Sequence, residues 1–150
     1  MAEYIKNLTS SASPSGTSSE RTAFIALLAQ RETLGLREIY QCHGVFADGY
    51  LVDRNGQNIP IEIKETLGWP QLTSACFQVV SLNHLKALDA TEAWIIYEKT
   101  SNEWMNRHYE AVMDHANKCI ASFKVGLVIK FMHLLPSGEF RHTGGVGGAA

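Results

Sequence analysis

The 150 residues carry 45% hydrophobic and 19% charged side chains, a balance that suits one globular domain burying roughly 70% of its unfolded surface. No apolar run approaches the roughly 20 residues a membrane-crossing helix needs, so a helical membrane protein is excluded. A net charge of -2, from 13 Lys and Arg against 15 Asp and Glu, excludes a uniformly basic nucleic-acid coat but leaves room for a local cationic stripe.

Residues 1–19 include NLTSSASPSGTSS, which lacks apolar periodicity, and are expected to form a flexible arm; residues 143–150, rich in Gly, are expected to form a flexible tail. Residues 20–142 between them are expected to form one domain. Thr17-Ser-Ser-Glu20 is a capping-box pattern, and Phe24, Leu27, Leu28 and Arg31 follow on one helical stripe that ends near Gly35. Three short runs with strand character come next, Arg37 to His43, Phe46 to Val52 and Ile59 to Glu65, with Asn55-Gly56 as the turn between the last two. Pro70 suits the first turn of a second helix, whose apolar residues Leu72, Cys76, Val79, Val80 and Leu85 carry it to about Leu88. Ala93 to Glu98 reads as a buried strand. Thr100 with Glu103 repeats the capping signal for a third helix with Met105, Tyr109, Val112, Ala116, Ile120 and Phe123 on its core stripe. Gly126 to Met132 is a last strand, and Pro136-Ser-Gly turns towards Phe140. The order αβββαβαβ implies an α/β fold, a mixed sheet flanked by helices.

Cys42, Cys76 and Cys119 are odd in number and far apart, and the N-terminus lacks a charged segment followed by an apolar one. A reducing, cytoplasmic-type setting is the expectation.

The chemistry concentrates between Asp48 and Lys64. If Arg54-Asn55-Gly56 is a three-residue loop with Gly56 left-handed, Asp53 pairs with Gln57 and Asp48 stands opposite Glu62. A strict two-residue Asn-Gly turn would pair Asp48 with Ile63 and put the two acids on opposite faces. In the first register Asp48, Glu62 and Lys64 share one face while Leu51, Ile61 and Ile63 point to the other. Two carboxylates directly opposite on a sheet repel, and a divalent cation between them removes the conflict. Hard oxygen ligands, few in number, suit Mg²⁺ or Mn²⁺. Lys64 is then placed to orient or deprotonate a water and to balance charge on a phosphate.

At these residues the chain resembles the PD-(D/E)XK nuclease superfamily, with its restriction-endonuclease-like fold. The matching residues are Ala47-Asp48 and, after a gap, Glu62-Ile63-Lys64, and the αβββαβ order of residues 17 to 98 matches the family core, followed here by a further helix and strand. Ala47 stands where the family name has Pro. The pattern is nearest to Holliday junction resolvase-like and VRR-type small nucleases. Glu20 corresponds to a metal-associated Glu near the start of the first helix in the former, and Gln78 to a Gln on the helix after the lysine strand in the latter. RecB-type domains carry a Tyr four residues after that Gln, where this chain has Leu82. The resemblance implies a Mg²⁺-dependent DNA endonuclease, acting as a homodimer on branched DNA or on a specific duplex. It implies Asp48, Glu62, the Ile63 carbonyl and Glu20 around the metal, and Lys64 and Gln78 in catalysis. A second function class, a non-catalytic binding or assembly module on the same fold, is consistent with the modest count of cations.

Other clusters read as ordinary structure. His108, His115 and Cys119 fall on one face of the third helix but lack a fourth ligand. Asp53-Arg-Asn55-Gly-Gln57 lacks the Gly position and terminal Glu of a calcium loop. Trp94 and Trp104 read as core or core-edge residues, as does Trp69, whose place beside Pro70 also suits stacking on a base at the mouth of the site.

Overall fold

The structure, a computed structural model, describes residues 4–9, 14–43, 47–100, 107–122 and 126–147. In chain order these form β1 (Tyr4–Leu8), α1 (Ser18–Ala29), β2 (Leu36–His43), β3 (Gly49–Asp53), β4 (Asn58–Leu67), α2 (Trp69–Leu85), β5 (Glu92–Thr100), α3 (Tyr109–Ser122), β6 (Val128–Leu134) and β7 (Phe140–Gly147). The seven strands make one sheet in sequential order. Neighbours are antiparallel from β1 to β4 and between β6 and β7, whereas β4, β5 and β6 are parallel to one another. The parallel pairs are those joined through helices, β4 to β5 by way of α2 and β5 to β6 by way of α3, as parallel pairing requires. β4 is therefore the strand shared by the antiparallel and parallel halves.

Helices cover both faces. α1 buries Ala23, Phe24, Ala26 and Leu27 against Ile39, Leu51, Ile61, Ile63, Trp94 and Ile96 on one face. Leu72, Ala75, Cys76, Val79 and Leu82 of α2 and Ala116 of α3 pack on Ala93, Ile95, Tyr97, Ile129 and Phe131 on the other. Alternation along each strand divides the side chains between the two faces. Since β4 is covered on both, residues 59 to 63 are buried without interruption, which leaves the one acid among them, Glu62, in the interior.

The α/β architecture, the mixed sheet and the flanking helices agree with the sequence. Two segments expected to be irregular are strands. The first 19 residues include β1, which pairs with β2 and inserts Leu8 into the core, fully buried. The expected Gly-rich tail lies in β7 as far as Gly147, paired with β6, with Val146 buried. In both, the pairing satisfies the backbone and Leu8 or Val146 anchors the strand in the core, so little periodic signal exists to read. α2 ends at Leu85 rather than Leu88, and Leu85 itself is exposed while Leu82 takes the core position. Phe46, Glu103, Trp104, Met105 and Phe123 lie outside the described residues, as do the side chains of Trp69, Tyr109, Val112, Cys119 and Ile120.

Candidate functional site

The turn after β3 decides the geometry. Asp53 N–H donates to Gln57 O at 3.0 Å, and the Asp53 Oδ1 accepts from the N–H groups of Asn55 and Gln57, both at 2.9 Å. The short side chain thus mimics a backbone turn. Gly56 takes φ +80°, a left-handed conformation that a Cβ disfavours. The loop is the three-residue form, Arg54-Asn55-Gly56, and the ladder that follows pairs Val52 with Asn58, Leu51 with Ile59, Tyr50 with Pro60 and Gly49 with Ile61. Carried one step further, this register sets Asp48 opposite Glu62. Leu51, Ile61 and Ile63 lie in the core beneath α1, so Glu62 and Lys64 point to the α2 face.

Asp48 is fixed by its backbone on both sides. Its N–H donates to Ile61 O at 3.1 Å and its carbonyl accepts from Cys42 N–H at 2.7 Å. Its Oδ2 accepts from the Ile63 N–H at 2.7 Å, which folds the carboxylate over β4. Gly49 follows because nothing larger fits: a Cβ there would collide with the Tyr40 carbonyl and press on the Phe24 ring. Ile63 keeps its side chain in the core, and its N–H, beside the carbonyl expected to face a metal, is already committed to Asp48.

Glu62 is 3% exposed. Its Oε1 lies 3.7 Å from Lys64 Nζ, and its Oε2 meets no hydrogen-bond partner among the described residues. Its carboxyl is pushed up to about 10, first by burial, then by the hydrogen-bonding approach and negative charge of Asp48, against the opposing pull of Lys64. Two carboxylates that close are both acceptors, so their contact is satisfied only when a proton or a cation stands between them.

Lys64 Nζ donates to Gln78 Oε1 at 3.1 Å. That same oxygen accepts from Ser74 Oγ, one helical turn earlier, at 3.1 Å. α2 thus presents a pre-set acceptor to the lysine, and Asp48, Glu62, Lys64 and Gln78 form one contiguous group.

Glu20 belongs to its edge. Thr17 caps α1, receiving Glu20 N–H at 3.3 Å and donating its hydroxyl to Glu20 Oε1 at 3.2 Å. Burial and the charge on Asp48 raise the Glu20 carboxyl, against those Thr17 bonds. Glu20 therefore feels Asp48 while its own oxygen is engaged by the cap.

Gln41, absent from the residues singled out above, is fully buried. Its amide makes a reciprocal pair with the Ser15 backbone, accepting from N–H at 3.2 Å and donating to the carbonyl at 2.7 Å, while Ser15 Oγ lies 3.0 Å from His43 Nε2. This strap holds the segment entering α1 against β2 and so places Glu20. The available signal was a Gln alternating with Ile39 on a core-facing position.

Among the described residues no group of three or more His, Cys, Asp or Glu side chains converges as a metal site. The centre is a two-carboxylate one, Asp48 and Glu62, whose hard oxygens and orphaned Glu62 Oε2 fit a small divalent cation that keeps most of its positions for water or phosphate. His108 and His115 are exposed. Cys42 and Cys76 are buried. No helix is long and apolar enough to cross a membrane among the described residues.

No protein-family model matches the chain, and no curated protein matches it. Among solved structures it is similar to that of SfsA from Pyrococcus furiosus in complex with Ca²⁺, with 18% identity and a TM-score of 0.36, over 87% of this chain and 62% of that one. The chain thus spans less than two thirds of that structure's length.

Proposed function

We propose that the protein is a Mg²⁺-dependent nuclease that hydrolyses DNA phosphodiesters internally. The observation that carries this is Glu62, a buried acid with an unpartnered oxygen, facing Asp48 in the register the turn imposes, with Lys64 held alongside by Gln78. Natural sheets do not keep such an arrangement for stability, because a buried carboxylate pair costs more than an apolar one.

Asp48 and Glu62 are the residues that would hold Mg²⁺ or Mn²⁺, with the Ile63 carbonyl and Glu20 at the margin. When bound, the ion supplies charge neutralisation on the phosphate and acidification of a water. Glu62 must release its proton for that, so this acid links metal affinity to pH. Lys64 orients the attacking water and balances phosphate charge, and Gln78 fixes the ammonium by accepting one of its protons. Ile63 N–H aims the Asp48 carboxylate at the same point. A homodimer acting on branched DNA or on a specific duplex completes the proposal.

The second reading is a non-catalytic binding or assembly module on the same architecture, favoured by the net charge of -2. Purified protein incubated with plasmid and with a four-way junction, in Mg²⁺ and in EDTA, separates the two. Cleavage in Mg²⁺ alone is expected, and Lys64→Ala is expected to reduce it by on the order of 10² to 10⁴-fold while remaining folded. Binding without cleavage on every substrate selects the second reading.

A further inference from the structure

Lys64 is the first residue of a row that crosses the sheet. It pairs with Tyr97 on β5, Tyr97 pairs with His133 on β6, and His133 pairs with Arg141 on β7. Side chains at paired positions share a face, and the contacts confirm it. The Tyr97 and His133 rings stack with centroids 4.9 Å apart and planes 3° from parallel. Tyr97 is buried, its hydroxyl 2.7 Å from Thr143 Oγ1, so it serves as a floor. His133 Nε2 lies 2.9 Å from the Glu98 carbonyl. A carbonyl only accepts, so Nε2 donates to it and Nδ1 is the ring atom that faces away from Glu98. Arg141 Nη2 lies 3.5 Å from that Nδ1.

The consequence is electrostatic. Lys64, Lys99, Lys118 and Lys130 each face a carboxylate. Arg141 is exposed, pairs with no acid among the described residues, and lies instead beside the His133 ring. Its charge stays available, and its remaining N–H groups form the planar fork that suits a phosphate. Three strand spacings separate Lys64 from Arg141, about 14 Å. A single open guanidinium binds a free anion weakly, whereas an anion tethered to a strand already seated at Lys64 arrives at high effective concentration.

We propose that Arg141, held by His133 on Tyr97, is a second phosphate subsite that takes a backbone phosphodiester of the same DNA strand whose scissile phosphate sits beside Lys64. It rests on the nuclease reading of the Asp48, Glu62 and Lys64 site.

The test is fluorescence anisotropy of a labelled 30-nucleotide single strand and of the matching duplex in EDTA, across 50 to 300 mM salt, with thermal melting of every variant as a folding control. Arg141→Ala should weaken binding about fivefold to tenfold near 0.1 M salt and reduce the slope of log affinity against log salt by about 0.7 to 0.9, one phosphate's share. Arg141→Lys should keep most of the slope. If Arg141→Ala fails to fold, Arg141→Gln is read by the same criterion. Wild type that binds DNA with Arg141→Ala matching it in affinity and slope overturns the subsite and leaves the nuclease reading intact. Wild type that binds neither oligonucleotide overturns the subsite, while the nuclease reading is decided by cleavage of plasmid and four-way junction in Mg²⁺. Displacement of the strand by millimolar inorganic phosphate in wild type but not in Arg141→Ala would make this a free-anion site and overturn the assignment to a strand.

Discussion

Glu62 is one carboxyl group in an otherwise apolar stretch, and its environment sets its charge. In the unfolded chain it titrates near the ordinary carboxylate value of 4.5; in the folded protein it is pushed up to about 10 by burial and by Asp48. The folded state therefore binds a proton that the unfolded state has lost at every pH between those values. Stability rises with pH only where the unfolded state binds more protons, and here it binds fewer. The Glu62 contribution is complete below about 4.5 and is lost as pH climbs towards 10. In EDTA, wild type is expected to lose stability from pH 5 to pH 8.5 relative to Glu62→Gln, which keeps the shape and has no proton to lose. Each pK unit across the window is about 1.4 kcal/mol, and solvent relaxation reduces the effect to an expected net loss on the order of 1 to 2 kcal/mol, roughly 2 to 8 °C in Tm for a chain of this size. Melting curves of the two proteins over that range make the comparison. A difference in Tm that stays constant with pH would show that Glu62 is ionised in the folded protein.

At the level of elements, the site stands where two local rules were readable and two longer-range ones were not. Asn55-Gly56 with Asp53 dictates a turn chemistry, and the turn dictates which residues of β3 and β4 face each other, so Asp48, Glu62 and Lys64 were legible from residues within 20 positions of one another. Thr17 with Glu20 likewise announced the start of α1. Gln78 was expected at the site from the family resemblance alone, and the structure sets its Oε1 3.1 Å from Lys64 Nζ. β1 and the strap had no such signal. YIKNL is too short to show a period, and its pairing with β2 joins residues some 30 or more positions apart. The Gln41 pairing with Ser15 depends on two backbone groups that sequence pattern does not encode. Replacing Gln41 by Leu fills the volume but removes both bonds to the Ser15 backbone, and because Ser15 is exposed and its groups regain water the expected cost is about 1 kcal/mol. Urea unfolding should show that loss, and limited proteolysis should then open the chain around Ser15. An unchanged midpoint for Gln41→Leu would mean that the strap contributes nothing to holding α1 on the sheet.

For the molecule as a whole, β4 joins an antiparallel half to a parallel half, and covering it with α1 on one face and α2 on the other produces the buried position that Glu62 fills. On the proposed metal-dependent reading, the same enclosure that makes this acid costly to ionise would make it responsive to a cation, because an ion between Asp48 and Glu62 would remove the repulsion and replace the proton. Any ligand that binds only the native state stabilises it by RT ln(1 + [L]/Kd), about 1.4 kcal/mol at ten times Kd. Since Glu62 would have to give up its proton first, Kd for Mg²⁺ at such a site is expected to fall as pH rises, by up to tenfold per pH unit while that carboxyl remains protonated in the metal-free protein. Addition of 10 mM Mg²⁺ is therefore expected to raise Tm more at pH 8.5 than at pH 6.5, restoring what the metal-free protein loses at high pH. Asp48→Asn keeps an oxygen to accept the Ile63 N–H and deletes the charge, so it should stay folded in EDTA and respond weakly to Mg²⁺ at both pH values. Thermal unfolding of wild type and Asp48→Asn with EDTA and with Mg²⁺, at the two pH values, decides the matter. A Mg²⁺ response equal in the two proteins would place any bound ion away from Asp48, and one in wild type that is larger at pH 6.5 would contradict the exchange of proton for metal at Glu62.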